Sequence, residues 1–118
     1  MDKLITNNPT AAQRYQAEYA VEFIDATAAE VLRVVRDYVH LGHGLMTHPL
    51  AASIPPQDTP YKSVVVSEWA GRMDFDSVRI IEAAVAVYAR VIPINIQEMQ
   101  DHIAEGFMAI DCEMIRKR

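Results

Sequence analysis

The stretch KSVVVSE, Lys62–Glu68, decides the fold class of this chain. Its centre is a run of three β-branched residues, Val64, Val65 and Val66, without the alternation of apolar and polar residues that marks a half-exposed strand. A strand that is apolar on both faces is typical of a sheet covered by helices on both sides. The stretch therefore predicts a central strand in a layered α/β protein.

Strands and helices alternate on either side of this stretch. KLIT (3–6), AVEFID (20–25) and GLMTHPL (44–50) are typical of strands, and TAAQRYQAEY (10–19) is typical of a short helix with Thr10 as its candidate cap. Downstream, helices are predicted from Asp74 to about Ile92 and from about Ile94 to Ile115, separated by Pro93. This order predicts a single α/β domain over residues 1–118, a small three-layer sandwich whose mainly parallel four-stranded sheet has helices on both faces.

The helix after the second strand has the clearest boundaries. Thr27 and Glu30 have the spacing of a capping box, and Gly42 stands where a left-handed C-terminal stop is expected. Between these ends, apolar residues share one face, which predicts a helix packed on a sheet: Val31, Leu32, Val35, Tyr38 and Val39.

The direction of the fourth strand is the open point of this topology. Residues 51–61, AASIPPQDTPY, have the Pro, Ser and Asp content of an exposed loop. A parallel crossover usually needs a dozen or more residues and commonly a helix, so an antiparallel fourth strand is the alternative.

Composition excludes several classes of function. The 118-residue chain has a formal net charge of −5, and its only basic cluster is RKR at residues 116–118, so nucleic acid is not an expected partner. The chain has neither a secretion-type start nor an apolar run long enough for a bilayer, which predicts a cytoplasmic protein without membrane contact. The single cysteine, Cys112, fits a reducing compartment and is predicted to pack inertly in the last helix.

The last helix carries two apolar lines. Its expected inward stripe consists of six residues, Ile96, Met99, Ile103, Phe107, Ile110 and Met114. A second line contains Ala104, Met108, Cys112 and Ile115. Two apolar faces on a terminal helix indicate either a homodimer through this helix or one broad buried face.

Polar residues follow the predicted strands, and ligands of open α/β sheets bind beyond the carboxyl ends of the strands. With an antiparallel fourth strand, the residues before that strand join the same edge. The expected binding residues are Thr6, Asn7, Asn8, Thr47, His48, Ser53, Thr59, Tyr61, Lys62 and Ser63. Backbone N–H groups and amides there would hold a small anionic metabolite. Ordinary turn chemistry at Asn8-Pro9 and His48-Pro49 explains the same pattern.

Three histidines are close in sequence and are candidate metal ligands. His40, His43 and His48 have imidazoles, which suit zinc or iron. However, His40 continues the polar stripe of its helix, and His43 lies between two glycines in a turn. His48 is the better candidate for chemistry, because it ends a strand and Pro49 restricts its backbone to an extended shape.

Motifs for cofactors are absent from the sequence. Gly42 and Gly44 lack the spacing of a dinucleotide fingerprint and close a helix instead of opening one. There is no P-loop and no GxSxG elbow. No cofactor is therefore expected.

Four segments together resemble a known family. ITNNP (5–9), VEFID (21–25), VRDYVHLGHGLMTHPL (35–50) and PQDTPYKSVVVS (56–67) are similar to the GrdX family. Its members are small proteins encoded with the glycine, sarcosine and betaine reductase systems of amino-acid-fermenting anaerobes. The likeness covers about the first two-thirds of the chain and extends more weakly into the helix after the proline-rich loop. It implies an accessory protein in an anaerobic cytoplasm, beside a selenoprotein-containing reductase complex, and transfers no catalytic role to Asn7, His43 or His48.

Two hypotheses of function follow from the sequence. The first is an accessory or regulatory protein that binds a glycine/betaine reductase component or a small anionic metabolite at the strand ends. The second is a small enzyme in which His48 acts as general acid or base and Asp25 orients it.

Overall fold

The computed structural model describes residues 1–51 and 54–116. The strands are Lys3–Thr6 (β1), Ala20–Phe23 (β2), His43–Leu45 (β3) and Ser63–Ala70 (β4). The helices are Pro9–Arg14 (α1), Ala28–His40 (α2), Phe75–Ala89 (α3) and Asp101–Arg116 (α4), with 3-10 turns at Pro56–Asp58 and Ile96–Glu98. None of the described helices is both long and apolar enough to cross a membrane.

The four strands form one mixed sheet in the order β2-β1-β4-β3. Only the β1–β2 pair is parallel, since β4 runs antiparallel to both β1 and β3. The prediction of a mainly parallel sheet was therefore wrong, and the antiparallel alternative for the fourth strand is correct. The physical reason is the connection between β3 and β4, which in its described part contains only the 3-10 turn Pro56–Asp58 and no crossover helix.

The layers on the two faces of the sheet match the sequence prediction. Val64 and Val66 pack with Ile5 against α2 and α3. Val65 faces the other side and packs with Leu4 against α1 and α4. All three valines are fully buried, which explains why β4 has a continuous apolar centre.

Helix α2 begins and ends as its sequence predicts, with one difference. The Thr27 side chain accepts a hydrogen bond from Glu30 N at 3.3 Å, but the Glu30 carboxylate pairs with Arg33 and not with the Thr27 backbone. At the other end, Gly42 has a φ of +109°. A Cβ at that position would lie 2.1 Å from the carbonyl oxygen of Gly71, so the close approach of the two chain segments requires glycine there.

Several boundaries differ from the prediction. Asn8, and not Thr10, caps α1, since its side chain accepts hydrogen bonds from Thr10 N and Ala11 N. The third strand is shorter than GLMTHPL, because the backbone is irregular between His43 and Leu45 and leaves the ladder after Leu45. The last helix starts at Asp101 instead of Ile94.

The two apolar lines of α4 differ in burial from the prediction. Ala104, Cys112 and Ile115 of the second line are buried, and the last two pack against α1 and the sheet. Ile103 and Ile110, from the expected inward stripe, are 44% and 38% exposed, whereas Phe107 and Met114 of the same stripe are half-buried. The second line is therefore the more buried one, because helical periodicity identifies an apolar face but not what covers it.

Candidate functional site

Four chain segments meet at one edge of the sheet, which we call the carboxyl edge. β1, β2 and β3 point in the same direction and end there, whereas β4 begins there. Its segments are Thr6–Asn8, Asp25–Thr27, Thr47–His48 and Tyr61–Ser63. The structure thus places the predicted site residues of these four segments at the same end of the sheet.

Asn7 joins three of these segments through its side chain. Its Nδ2 donates to the carbonyl oxygens of Ala26 and Pro60, both at 3.0 Å, and its Oδ1 accepts from Lys62 N at 2.8 Å. These contacts use both amide hydrogens and the oxygen of a residue that is only 4% exposed. Asn7 therefore holds the carboxyl edge together, and its amide is not free to bind a ligand.

A second set of buried side chains forms a network on the α4 side of the sheet, which we call the polar network: Thr6, Asn8, Ser63 and Asp111. Thr6 Oγ1 and Ser63 Oγ are 2.6 Å apart, and Ser63 donates to Asp111 Oδ2 at 2.5 Å. Asn8 Nδ2 donates to the same Oδ2 at 3.0 Å and to Met108 O at 3.0 Å. The network ties the end of β1 and the start of β4 to α4.

Two ionisable side chains are buried beside this network. Lys62 is 3% exposed and Asp111 is 7% exposed. Burial lowers the pKa of Lys62, against the opposing effect of Asp111. Burial also raises the pKa of Asp111, although hydrogen bonds from Ser63 and Asn8 and the charge of Lys62 act in the other direction. Both shifts favour the neutral form of each side chain.

Lys62 and Asp111 line the same small cavity of about 20 Å³, which we call the Lys62 cavity. The volume suits about one water-sized group. Most of its described walls are apolar, and they come from the loop before β4 and from α4: Ala51, Ile54, Pro60, Phe107, Ile110 and Met114. Tyr61 is buried, and burial raises the pKa of its hydroxyl group. It lines this cavity and also a second, larger opening.

The larger opening, which we call the carboxyl-edge cleft, has a volume of about 460 Å³ and lies beyond the ends of β1 and β2. Phe23, Asp25 and Thr27 form one side, and residues 93–97 form another. Thr27, the N-cap of α2, lines the cleft, whereas Ala28 and Ala29 of the first turn line a separate small cavity. Among the described lining residues, Asp25 is the only Asp, Glu, Lys, Arg or His.

The three histidines do not come together as a metal site. His40 Nε2 is 2.9 Å from Glu82 Oε1 at the surface. His43 Nδ1 is 2.7 Å from Ser67 O, and the His43 ring packs edge-on against Tyr38. Within residues 1–51 and 54–116, no three His, Cys, Asp or Glu side chains are grouped so that they could hold a metal ion.

His48 and Asp25 are not brought together as the predicted acid–base pair. Asp25 follows β2 and His48 follows β3, which are the two outer strands of the sheet. Strands lie about 4.8 Å apart, so these positions are separated by about 14 Å. The exposed His48 accepts a hydrogen bond at Nδ1 from Leu50 N, at 3.1 Å, which is the turn role that the sequence left open.

The remaining predicted residues have local structural roles. Thr47 Oγ1 accepts from Val65 N at 3.0 Å and continues the β3–β4 pairing. Thr59 donates to Pro55 O at 2.8 Å in the loop before β4. Ser53 lies outside the described residues.

The residues that sequence reasoning missed lie far along the chain from the strand ends. Asp111 shares a buried helical face with Ala104 and Ile115, at spacings of seven and four residues. A carboxylate in an apolar helical stripe was therefore the available signal. Asn95 and Gln97, which also line the cleft, lie in an irregular segment without periodicity that would have identified them.

Comparison with known proteins gives one match. No curated protein and no solved structure matches the chain at a significant level. The family model described as GrdX-like protein matches residues 3–118, which is nearly the whole chain. Both the resemblance of the strand-end segments and this match lead to the same assignment, and the chain belongs to the GrdX-like protein family.

Proposed function

We propose that this chain is a cytoplasmic accessory protein of the glycine/betaine reductase system and that it binds a small carboxylate or phosphate metabolite in the carboxyl-edge cleft. Membership of the GrdX-like family supports the association with the reductase system. The observation that carries the binding proposal is the cleft of about 460 Å³ at the strand ends. Its volume is within the range of small-molecule sites, about 300–1,000 Å³.

The chemistry of the cleft supports a ligand with one anionic group. Thr27 is the N-cap of α2, so the positive end of the helix dipole lies beside the cleft and favours an anionic group there. Phe23 and residues 93–97 offer apolar contact to the remainder of the ligand. Asp25 lies on the same side as Phe23, so a ligand that also carries an ammonium group has a carboxylate and an aromatic ring to contact.

The thermal midpoint of the full chain tests this proposal. We expect glycine, betaine or acetyl phosphate to raise the midpoint, because a ligand that binds only the folded protein stabilises it by about 2.7 kcal/mol at about 100 times its Kd. A panel of these three compounds without any rise contradicts a metabolite site.

Two variants locate the binding. Asp25→Asn should weaken the effect of glycine and betaine, whose ammonium groups lose an opposite charge, and should strengthen the effect of acetyl phosphate. His48→Ala is the matched control, because His48 is exposed beyond the opposite outer strand, and it should leave all three effects unchanged. Loss of binding in His48→Ala would place the ligand elsewhere.

A reductase component is the second candidate ligand, and exposed aromatic residues favour it. Trp69 is 78% exposed and Phe75 is 77% exposed. They lie at the end of β4 and the start of α3, away from the carboxyl edge. Aromatic residues are enriched in protein interfaces. Pull-down of purified reductase components by the wild type, but not by Trp69→Ser, would support this candidate.

A further inference from the structure

Lys62 has an environment that lysine rarely occupies. It is 3% exposed, and no described carboxylate forms an ion pair with it. The charge of Asp111 acts on Lys62 without an ion pair, and Nζ lies 5.6 Å from the centre of the Tyr88 ring. Lysine is almost never fully buried unless it is paired, so this side chain calls for an explanation beyond packing.

The Lys62 cavity brings a second reactive group to the same place. Asp111, from α4, lines this cavity together with Lys62. Its Oδ2 is held by Ser63 and Asn8, which fixes the orientation of the carboxyl group. An amine and a carboxyl group thus border one small, largely apolar space of about 20 Å³, where the first can act as nucleophile and the second as proton donor.

We propose that Lys62 is a covalent binding site for formaldehyde, the one-carbon aldehyde, which its side-chain amine captures as an imine in the Lys62 cavity. The Nζ lone pair adds to the carbonyl carbon, and the oxygen takes up one of the two protons on the nitrogen, which gives a carbinolamine. Asp111 then donates a proton to the departing hydroxyl group, which leaves as water while the C=N bond forms. The nitrogen loses its remaining proton to the carboxylate, so no oxidant or reductant is needed.

Burial and size both select this ligand class. Addition requires the neutral amine, and the surroundings of Lys62 favour that form by lowering its pKa. After water leaves, a formaldehyde imine adds a single carbon to Nζ, which matches a cavity for about one water-sized group. This site is separate from the carboxyl-edge cleft and does not depend on the proposed function.

Reductive trapping of the full chain tests the proposal. The protein is treated with dilute formaldehyde and sodium cyanoborohydride at pH 7, and peptide mass spectrometry measures the methylation of each lysine. Lys3 is the internal reference, because its side chain is 30% exposed and pairs with Glu22 at 3.7 Å. We expect Lys62 to be methylated at least about tenfold faster than Lys3, because burial lowers the pKa of Lys62 and so favours the neutral amine that adds to the aldehyde. Methylation of Lys62 at or below the rate of Lys3 would overturn the proposal.

Two further measurements distinguish reaction of Lys62 within the cavity from non-specific labelling of lysines. Benzaldehyde, which is too large for the cavity, should label Lys3 and leave Lys62 unmodified, and labelling of both would contradict an enclosed site. Asp111→Asn should slow methylation of Lys62 several-fold without affecting Lys3, and an unchanged rate would remove Asp111 from the reaction. The benzaldehyde comparison uses the wild-type chain, so it stands even if that variant does not fold.

Discussion

Asn8 Nδ2 donates a hydrogen bond to Oδ2 of Asp111 at 3.0 Å, across 103 positions of the chain. The same side chain caps α1 through Oδ1. The Asn8 side chain therefore caps α1 and also binds α4 to the carboxyl edge.

The double role of Asn8 predicts a large loss of stability on truncation. Asn8→Ala removes the cap of α1 and two of the hydrogen bonds to α4, and we expect a loss of about 2–4 kcal/mol in the free energy of unfolding. Urea denaturation measures the loss. Asn8→Asp keeps a cap acceptor but places a second carboxyl group about 3.0 Å from Asp111, so it should destabilise the protein at least as much as Asn8→Ala. A loss below about 1 kcal/mol in Asn8→Ala would show that the contacts to α4 contribute little.

Lys62 predicts a pH dependence of stability with a definite sign. Burial lowers the pKa of Lys62 in the folded protein from its ordinary value of 10.5. At any pH between the lowered pKa and 10.5, the unfolded chain therefore binds more protons than the folded protein. Stability contributed by Lys62 should therefore rise with pH across that window and become complete above about pH 10.5. The difference in unfolding free energy between the wild type and Lys62→Met, measured at several pH values from 7 to 10.5, should grow in favour of the wild type. A difference independent of pH would contradict this environment for Lys62.

Gly42 and Gly106 form a matched pair of glycine substitutions. Gly42→Ala places a Cβ 2.1 Å from Gly71 O at a φ of +109°, and we expect a loss of about 2–4 kcal/mol. Gly106 lies on the exposed face of α4, and a Cβ at this position would have nothing within 4 Å. Gly106→Ala should therefore stabilise the protein by about 0.5–1 kcal/mol. Thermal unfolding of both variants checks the two signs. Equal effects would mean that the close contact between Gly42 and Gly71 is not maintained.

The exposure of Ile103 and Ile110 changes where a homodimer through α4 would form. We expect two copies to pair through the exposed stripe that contains Ile103 and Ile110, and not through the buried line of Ala104 and Cys112. Analytical ultracentrifugation should show a dimer of the wild type and a monomer of Ile103→Glu, with unchanged thermal stability at low concentration. A monomeric wild type at high concentration would contradict this interface.

Local chemistry accounts for the features that the sequence predicted well. The residues that start and stop α2, Thr27 and Gly42, act only on residues a few positions away in the sequence. The burial of Val64, Val65 and Val66 on both faces likewise follows from their own apolar character. Neither inference needed knowledge of a distant partner.

Distant partners explain what the sequence did not predict. The direction of β4 depends on which strands flank it, and no residue within KSVVVSE carries that information. Asn7 and Asn8 have the same polar character whether they bind a ligand or the backbone of their own chain, and here they do the latter. Asp111 was missed because its partners, Asn8 and Ser63, belong to other parts of the chain.

The place of β4 between β1 and β3 constrains how the protein can be made. During translation, β1 emerges from the ribosome 57 residues before the start of β4, its antiparallel neighbour, so the first half of the chain has to wait with an incomplete sheet. Folding therefore has to be a late and concerted event, governed by the slow closure of distant pairings. A nascent chain arrested before residue 63 should be digested readily by protease, whereas one released after α3 has emerged should resist it.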